Sequence, residues 1–251
     1  MTGCKYILRL ILVLFILFQL FGCKKEESPK IPPTTVTDID GNTYNTVLIG
    51  TQVWLKENLK VTKFRNGDII GSTIPVNLNI GELNTTPYQW PYDGLESNVE
   101  IYGRLYTWHA ATDSRGVCPT GWHLPSDSEW TTLKNYLIAN GYNYDGKTTG
   151  QNEAKALATD YGWSISTNNG AVGNTDFPTY RNKSKFSALP GGYREYIGEF
   201  KRGGDCGFWW TSDQNGPNEA WRRLICSDAT YSASNFFWKS YGQSIRCIWD
   251  N

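Results

Sequence analysis

The chain is poor in the residues that long helices and histidine-based catalysis require. Met occurs once and His twice among 251 residues, while Tyr, Trp and Gly are plentiful, a composition typical of short strands and long ordered loops. Neither His109 nor His123 has a Ser or Cys at a spacing that indicates nucleophilic catalysis. Neither sign of charge is in excess, with 24 basic and 24 acidic side chains. That balance argues against nucleic acid as the main partner.

The chain also lacks an apolar run long enough to span a membrane. Its longest apolar stretch, residues 10–21, follows Lys5 and Arg9. About 12 residues is the length of a signal-peptide core, whereas a spanning helix needs roughly 20. The stretch ends at Leu20-Phe21-Gly22-Cys23, which resembles a bacterial lipobox, although Phe21 is bulky for its position. We predict a lipoprotein signal peptide over 1–22 and lipidation of Cys23; ordinary cleavage near Gly22 is the alternative.

A lipidated tether is predicted over 23–35. Its charged start, Lys24-Lys25-Glu26-Glu27-Ser28, resembles the surface-export signal of lipoproteins from the Bacteroidetes group, although a merely solvated tether has the same composition. Pro32 and Pro33 make the rest a semi-rigid spacer. We therefore expect membrane attachment through the N-terminal lipid and an outer-membrane location at the cell surface, with the periplasmic face as the alternative.

Six cysteines divide unequally between these segments. Cys4 leaves with the signal peptide and Cys23 takes the lipid, which leaves Cys118, Cys206, Cys226 and Cys247. An even number in an oxidising compartment predicts two disulfides. None of the four lies in a zinc-ligand spacing, so we expect no metal and no cofactor. The chain-entropy model gives a stabilisation of about 5 kcal/mol for Cys118–Cys247 and about 3 kcal/mol for Cys206–Cys226. Pairing Cys118 with Cys206 and Cys226 with Cys247 gives nearly the same sum. Loop entropy therefore leaves the pairing open.

The pattern of elements predicts an α+β domain with two helices among several short antiparallel strands and long ordered loops. Ser126 and Glu129 form a capping-box pair before a helix of about 13 residues that should end near Asn140-Gly141. A second helix is predicted over residues 152–159. Strands are predicted from Val36 through an Asp-Gly turn to Tyr44, in two further segments around Gly50, and at residues 208–210, 220–224 and 244–248.

Eight blocks of residues occur in the order of a known domain family. The first four are Asp38-Ile39-Asp40-Gly41-Asn42 with Tyr44; Ile49-Gly50 with Gln52 and Trp54; Glu57-Asn58-Leu59; and Tyr102-Gly103-Arg104-Leu105-Tyr106. The fifth runs from 118 to 130 and contains Cys118-Pro119, Gly121-Trp122-His123, Pro125-Ser126-Asp127 and Glu129-Trp130. The last three are Phe186-Ser187-Ala188-Leu189-Pro190-Gly191-Gly192-Tyr193-Arg194; Trp209-Trp210-Thr211-Ser212; and Ser244-Ile245-Arg246-Cys247. Over residues 36–251 the chain resembles the Fibrobacter succinogenes major paralogous domain, which is similar to the C-type lectin-like fold of formylglycine-generating enzymes. This resemblance implies the pair Cys118–Cys247, which leaves Cys206–Cys226. The copper-binding cysteine pair of those enzymes has no match, so the resemblance implies no oxidase.

Aromatic residues are concentrated in the final third. Rigid aromatic side chains near Arg and Asn suit a recognition surface, although core packing is the competing role for each one. The predicted ligand-binding residues are Trp210, Trp221, Arg222, Asn235, Phe237 and Trp238. The sequence thus favours a non-catalytic domain that binds a glycan or a surface protein.

Two other functions stay open. Asp205, Asp213, Glu219 and Asp228 could include the carboxylate pair of a glycoside-acting enzyme, although loop carboxylates are more often solvated turns. A structural envelope protein without a ligand is the third interpretation. Asp38, Asp40 and Asn42 alternate as in a calcium loop, but an Asp-Gly hairpin explains them with fewer assumptions. The segments 216–219 and 249–251 resemble lectin calcium motifs in the wrong order, and we expect no metal there.

Overall fold

Short, mostly antiparallel strands carry the fold, together with one long helix. The computed structural model describes residues 31–250; the predicted signal peptide and Cys23 lie outside the described residues. The helices are α1 (Val99–Tyr102), α2 (Trp108–Ala111), α3 (Asp127–Ala139) and α4 (Ala154–Leu157). Short 3-10 turns lie at Tyr92–Gly94, Glu96–Asn98 and Pro178–Tyr180. The predicted α+β class is confirmed.

The first sheet has five strands in the order β1–β2–β3–β12–β6. The strands are β1 (Thr35–Thr37), β2 (Thr43–Ile49), β3 (Gln52–Leu55), β6 (Trp122–His123) and β12 (Ile248–Trp249). The predicted hairpin at Asp40-Gly41 is confirmed, because the Asp38 carboxylate accepts the backbone N–H groups of Asp40 and Asn42 and holds the turn between β1 and β2. Strand β12 pairs with both β3 and β6 through Ile248, so it joins β1, β2 and β3 to β6 in one sheet.

The second sheet has the order β11–β10–β9–β7–β8. Its strands are β7 (Gly191–Arg194), β8 (Phe200–Gly203), β9 (Cys206–Asn215), β10 (Glu219–Cys226) and β11 (Ala233–Trp238); a separate two-stranded sheet pairs β4 (Gln89–Pro91) with β5 (Arg104–Tyr106). The β9–β10 hairpin is the longest pairing, and β7 joins β9 in parallel at Gly192 and Gly207. The strands predicted at 208–210 and 220–224 are confirmed. The strand predicted at 244–248 is mostly a connection, in which Ser244 makes a single bridge with Trp209.

The long helix α3 is the one that the capping box predicts. The Ser126 hydroxyl accepts the N–H of Glu129, and the Glu129 carboxylate accepts the N–H of Ser126. Helix α4 is shorter than the predicted 152–159, because Ala158 leaves the helical conformation and bridges to Ala188. A pairing with a segment 30 residues away therefore ends a helix that local sequence would continue. None of the helices within residues 31–250 combines the length and apolar character that crossing a bilayer requires.

Aromatic side chains form the centre of the core. Trp54, Trp130, Trp209 and Phe186 pack with ring centroids 4.8–5.9 Å apart between the two sheets and α3. A second cluster, around Tyr44, Tyr106 and Trp210, fills the space beside β5 and α2. Both disulfides that the family resemblance implies are present, Cys118–Cys247 and Cys206–Cys226.

A buried arginine joins several of the blocks that carry the family resemblance. The Arg246 side chain is fully buried and donates hydrogen bonds to the carbonyls of Lys56 and Phe186 and to the Asn58 side-chain oxygen. Burial lowers the pKa of Arg246 to about 9. The same Asn58 oxygen accepts the indole N–H of Trp209. Asn58, Trp209 and Arg246 of these blocks therefore serve packing in the core.

Candidate functional site

An exposed aromatic pair lies on the β10–β11 hairpin. Trp221 and Phe236 are direct partners in the antiparallel register. Their rings meet edge to face, with centroids 5.6 Å apart. Phe236 is 46% exposed and Trp221 is half-buried. Because both rings stay accessible beside one another, this aromatic pair offers a rigid apolar platform to a ligand.

A bulge in β9 places polar residues opposite Trp221 of the aromatic pair. Ala220 pairs with Gln214 and Arg222 with Trp210, so residues 211–213 lie opposite Trp221 alone. The bulge is fixed to the start of α3, because the Ser212 N–H donates to the Pro125 carbonyl and the Asp213 carboxylate accepts the Asp127 N–H. Bulges of this kind re-aim side chains next to functional sites. The exposed residues of the bulge opposite Trp221 are Ser212 and Asp213.

Arg222, Asn235 and Phe237 lie on the opposite face of the same hairpin. Arg222 is only 5% exposed, its Nε donates to the Asn235 side-chain oxygen at 2.8 Å, and its guanidinium lies 3.9 Å from the Phe237 ring centroid. Phe208 lies on the guanidinium at 4.5 Å. Burial lowers the pKa of Arg222 to about 10. This arginine is held between two aromatic rings below the surface. Of the three residues only Asn235 is exposed.

Trp210 is not a surface residue, which corrects the sequence prediction. Its side chain has no exposed surface, and its indole N–H donates to the Tyr106 carbonyl at 2.8 Å. Trp238 is half-buried and packs against the second core cluster. Alternation along a strand does not tell which face is covered, because that depends on the elements that pack on the sheet. The six predicted residues therefore divide between the core and two faces of one hairpin.

Phe236 is the functional candidate that sequence reasoning missed. Strand alternation indicates that Phe236 and Phe237 face opposite sides, and the structure agrees. The sequence does not show which of the two faces is open, nor that Phe236 pairs with Trp221. Both facts follow from the register of β10 and β11.

His123 lies between two carboxylates. Its Nε2 lies 2.9 Å from Glu129 Oε1, and its Nδ1 lies 2.5 Å from Asp250 Oδ1. The hydrogen bond with Glu129 raises the pKa of His123 against the effect of burial, and Asp250 adds to it. Both ring nitrogens are occupied on opposite edges of the imidazole, so the two carboxylates and the ring cannot meet at one metal ion. Within residues 31–250 no group of three His, Cys, Asp or Glu side chains is placed to hold a metal. The cluster ties β6, α3 and the end of β12 together.

The four candidate carboxylates do not converge on one site. Asp205 and Asp228 lie at the end of the β9–β10 hairpin that carries the Cys206–Cys226 disulfide, whereas Asp213 and Glu219 lie near its turn. At 3.3 Å per strand residue the two ends are roughly 25 Å apart. A pair for glycoside chemistry would have to form within one end, since the required separation is about 5–9.5 Å. Asp213 already accepts the Asp127 N–H at 2.6 Å.

Comparison with known proteins identifies a family. The profile of the Fibrobacter succinogenes major domain matches residues 47–249, which is most of the chain. No curated protein and no solved structure matches the sequence or the structure. The family resemblance seen in the eight sequence blocks is thereby confirmed, and the chain belongs to the Fibrobacter succinogenes major domain family.

Proposed function

We propose that this chain is a cell-envelope lipoprotein whose domain binds a glycan without catalysis. The observation that carries the proposal is the Trp221–Phe236 pair, left accessible on a strand pair. A saccharide presents apolar C–H faces and hydroxyl groups. The aromatic rings match the first, and the exposed Ser212 and Asp213 of the β9 bulge, opposite Trp221, can hydrogen-bond to the second.

A C-type lectin-like fold is part of this proposal. The support is the disulfide between Cys118, which precedes the main helix, and Cys247, which precedes the last strand. The mixed sheets and the single long helix agree with it. We further propose that residues 1–22 are a signal peptide, that 23–35 tether the protein to the outer membrane through Cys23, and that residues 36–251 are exposed at the cell surface.

Binding is tested with a glycan array, followed by calorimetry on the saccharides that bind. Trp221→Ala should weaken binding at least tenfold, because buried aromatic anchors contribute most of the energy of an interface. Trp221→Phe should retain part of it. Tyr161→Ala removes another exposed aromatic and serves as the matched control, and the melting temperature of each variant tests folding.

Three outcomes would contradict the proposal. Binding that Trp221→Ala leaves unchanged would remove the aromatic pair from the site. Turnover of a bound saccharide that Glu219→Gln abolishes would make the protein an enzyme. A surface protein captured through the same Trp221-dependent contact, with no saccharide bound, would change the ligand class.

Localisation has its own test. Labelled palmitate should enter the wild-type protein and not Cys23→Ala, and protease added to intact cells should remove the domain. Protection of the domain from protease would place it on the periplasmic face.

A further inference from the structure

A pocket of about 240 Å³ opens on a different part of the molecule, at the β1–β2 turn. Its walls come from that turn, from the turn at residues 64–67 and from the segment that leads into β6. The lining includes Ile39, Arg65, Val117, Cys118, Pro119 and Thr120. Pockets for drug-sized ligands are roughly 300–1,000 Å³, so this one has room for a single small group. Of its eight lining residues, four are apolar or belong to a disulfide, namely Ile39, Val117, Cys118 and Pro119.

Asp38 also lines the pocket, but its carboxylate is already fully used. One oxygen accepts the N–H groups of Asp40 and Asn42, and the other accepts the Asn42 side-chain amide and the Tyr44 hydroxyl. Asp38 is 8% exposed. Four donors fill the lone-pair directions of its two oxygens, so Asp38 has none left for a ligand.

Arg65 is the charged group of the pocket that has no partner. Its guanidinium forms no hydrogen bond or ion pair with any residue between 31 and 250. The neighbouring cations are committed: Arg115 pairs with Asp68 and Asp113, and Lys63 pairs with Asp40. The five N–H donors of Arg65 are therefore available at the pocket.

Gly116 leaves the space in which this guanidinium lies. A Cβ at position 116 would be 2.1 Å from Nε and 2.2 Å from Nη2 of Arg65, and the backbone of Gly116 has φ +76°. The guanidinium therefore lies flat on the bare main chain of Gly116. An unpaired planar cation at the side of a pocket has the geometry to bind the planar fork of a carboxylate or a phosphate.

We propose that this pocket binds a small anion, a carboxylate or a phosphate carried on a molecule the size of a sugar or of glycerol. Arg65 binds the anionic group, and Ile39 and Pro119 contact the carbon skeleton. Such an anion could belong to an acidic saccharide or to a lipid headgroup. The site is separate from the aromatic pair and does not rest on the function proposed for it.

The test is calorimetric titration of the full-length protein in detergent with glucuronate, with glycerol 3-phosphate and with glucose as the neutral control. We expect one or both anions to bind and glucose not to bind. Binding of glucuronate alone indicates a saccharide source, and binding of glycerol 3-phosphate alone indicates a lipid headgroup. Arg65→Gln should weaken anion binding at least tenfold. Arg202→Gln, which removes an exposed arginine outside the pocket, should leave it unchanged.

A second variant separates the pocket from simple surface charge. Ile39→Trp keeps Arg65 but fills the space, and it should also abolish binding while the melting temperature stays close to that of the wild type. If Ile39→Trp binds the anions normally, or if neither anion binds, the proposal is wrong. Trp221→Ala should bind both anions like the wild type, so a failure at this pocket and a failure at the aromatic pair are distinguishable.

Discussion

At the residue scale, one asparagine satisfies two large buried side chains. The Asn58 side-chain oxygen accepts hydrogen bonds from Trp209 Nε1 at 2.8 Å and from Arg246 Nη2 at 2.7 Å, and Asn58 is 3% exposed. Arg246 makes no ion pair with any carboxylate among residues 31–250, so neutral oxygens must satisfy its charge. An uncompensated buried donor costs far more than the hydrogen bond contributes.

Asn58→Ala should therefore destabilise the protein by about 3 kcal/mol, since it leaves donors of Trp209 and Arg246 unsatisfied at once. Urea unfolding measures this as a lower midpoint at constant m value. Asn66→Ala removes an asparagine on an exposed turn and should cost less than half as much. Equal losses for the two variants would show that the buried network is not the cause.

His123 should make stability depend on pH. Its pKa is raised above 6.5 in the folded state, first by the hydrogen bond with Glu129. A raised pKa contributes stability that is fully present below pH 6.5 and is lost as the pH rises through the folded pKa. The pKa of Glu129 is lowered to about 2, by hydrogen bonds from His123 and Ser126 that outweigh burial, the largest single influence. The contribution of Glu129 to stability is therefore fully present at a pH above the usual pKa of Glu, and it is lost as the pH falls towards 2.

The measurement is the free energy of unfolding of the wild type and of His123→Gln between pH 5 and pH 9. The difference between the two should be largest at pH 5 and should shrink as the pH rises. The pKa of His109 is lowered by burial and by Lys239, so its contribution to stability changes with pH in the opposite direction. Because the wild type and the variant both contain His109, the difference between them does not include that contribution. A difference that grows with pH would contradict the assignment.

At the scale of elements, α3 is set by local chemistry and the β9 bulge by a tertiary contact. The capping box needs only Ser126 and Glu129 at their spacing. The bulge needs Pro125 and Asp127 to lie beside Ser212 and Asp213. The helix start therefore positions the polar residues next to the aromatic pair.

Ser126→Ala should cost about 1 kcal/mol, because the N–H of Glu129 loses its cap. Thermal or urea unfolding gives the value. Thr132→Ala, in the same helix, removes a hydroxyl that only donates to the Ser128 carbonyl and should be close to neutral. A Ser126→Ala variant as stable as Thr132→Ala would mean that the α3 cap contributes little.

At the scale of the whole molecule, the two disulfides close loops of very different length. Cys118–Cys247 spans 129 positions and joins the approach to β6 to the approach to β12, whereas Cys206–Cys226 spans 20 within one hairpin. Replacing the first pair by Ser should cost about 5 kcal/mol and the second about 3 kcal/mol, if the entropy of the unfolded chain dominates. Urea unfolding of the two double variants checks the order. The reverse order would mean that the native state, and not the unfolded chain, determines how much each disulfide stabilises the protein.

The parts that the sequence predicted correctly depend on neighbouring residues. Helix α3, the Asp-Gly hairpin and the strands of the β9–β10 hairpin all follow from caps, turns and alternation within short windows. Helix α4 ends earlier than the sequence predicts, because Ala158 pairs with Ala188. The two residues are too far apart in the chain for a local sequence pattern to show this pairing. The disulfide pairing came from the family resemblance, since loop entropy did not distinguish the two arrangements.

By itself, the sequence determined the class, the family blocks and the kind of residue from which a site could be made. Tertiary structure alone decided that Trp210 is buried and donates to the Tyr106 carbonyl while Trp221 and Phe236 remain accessible. It also decided that Arg65, and not Asp38, has hydrogen-bonding capacity left at the pocket that both line. The physical reason is that burial and partnership belong to pairs of segments far apart in the chain. A residue's type fixes what it can bind, but the elements packed around it fix whether it is free to do so.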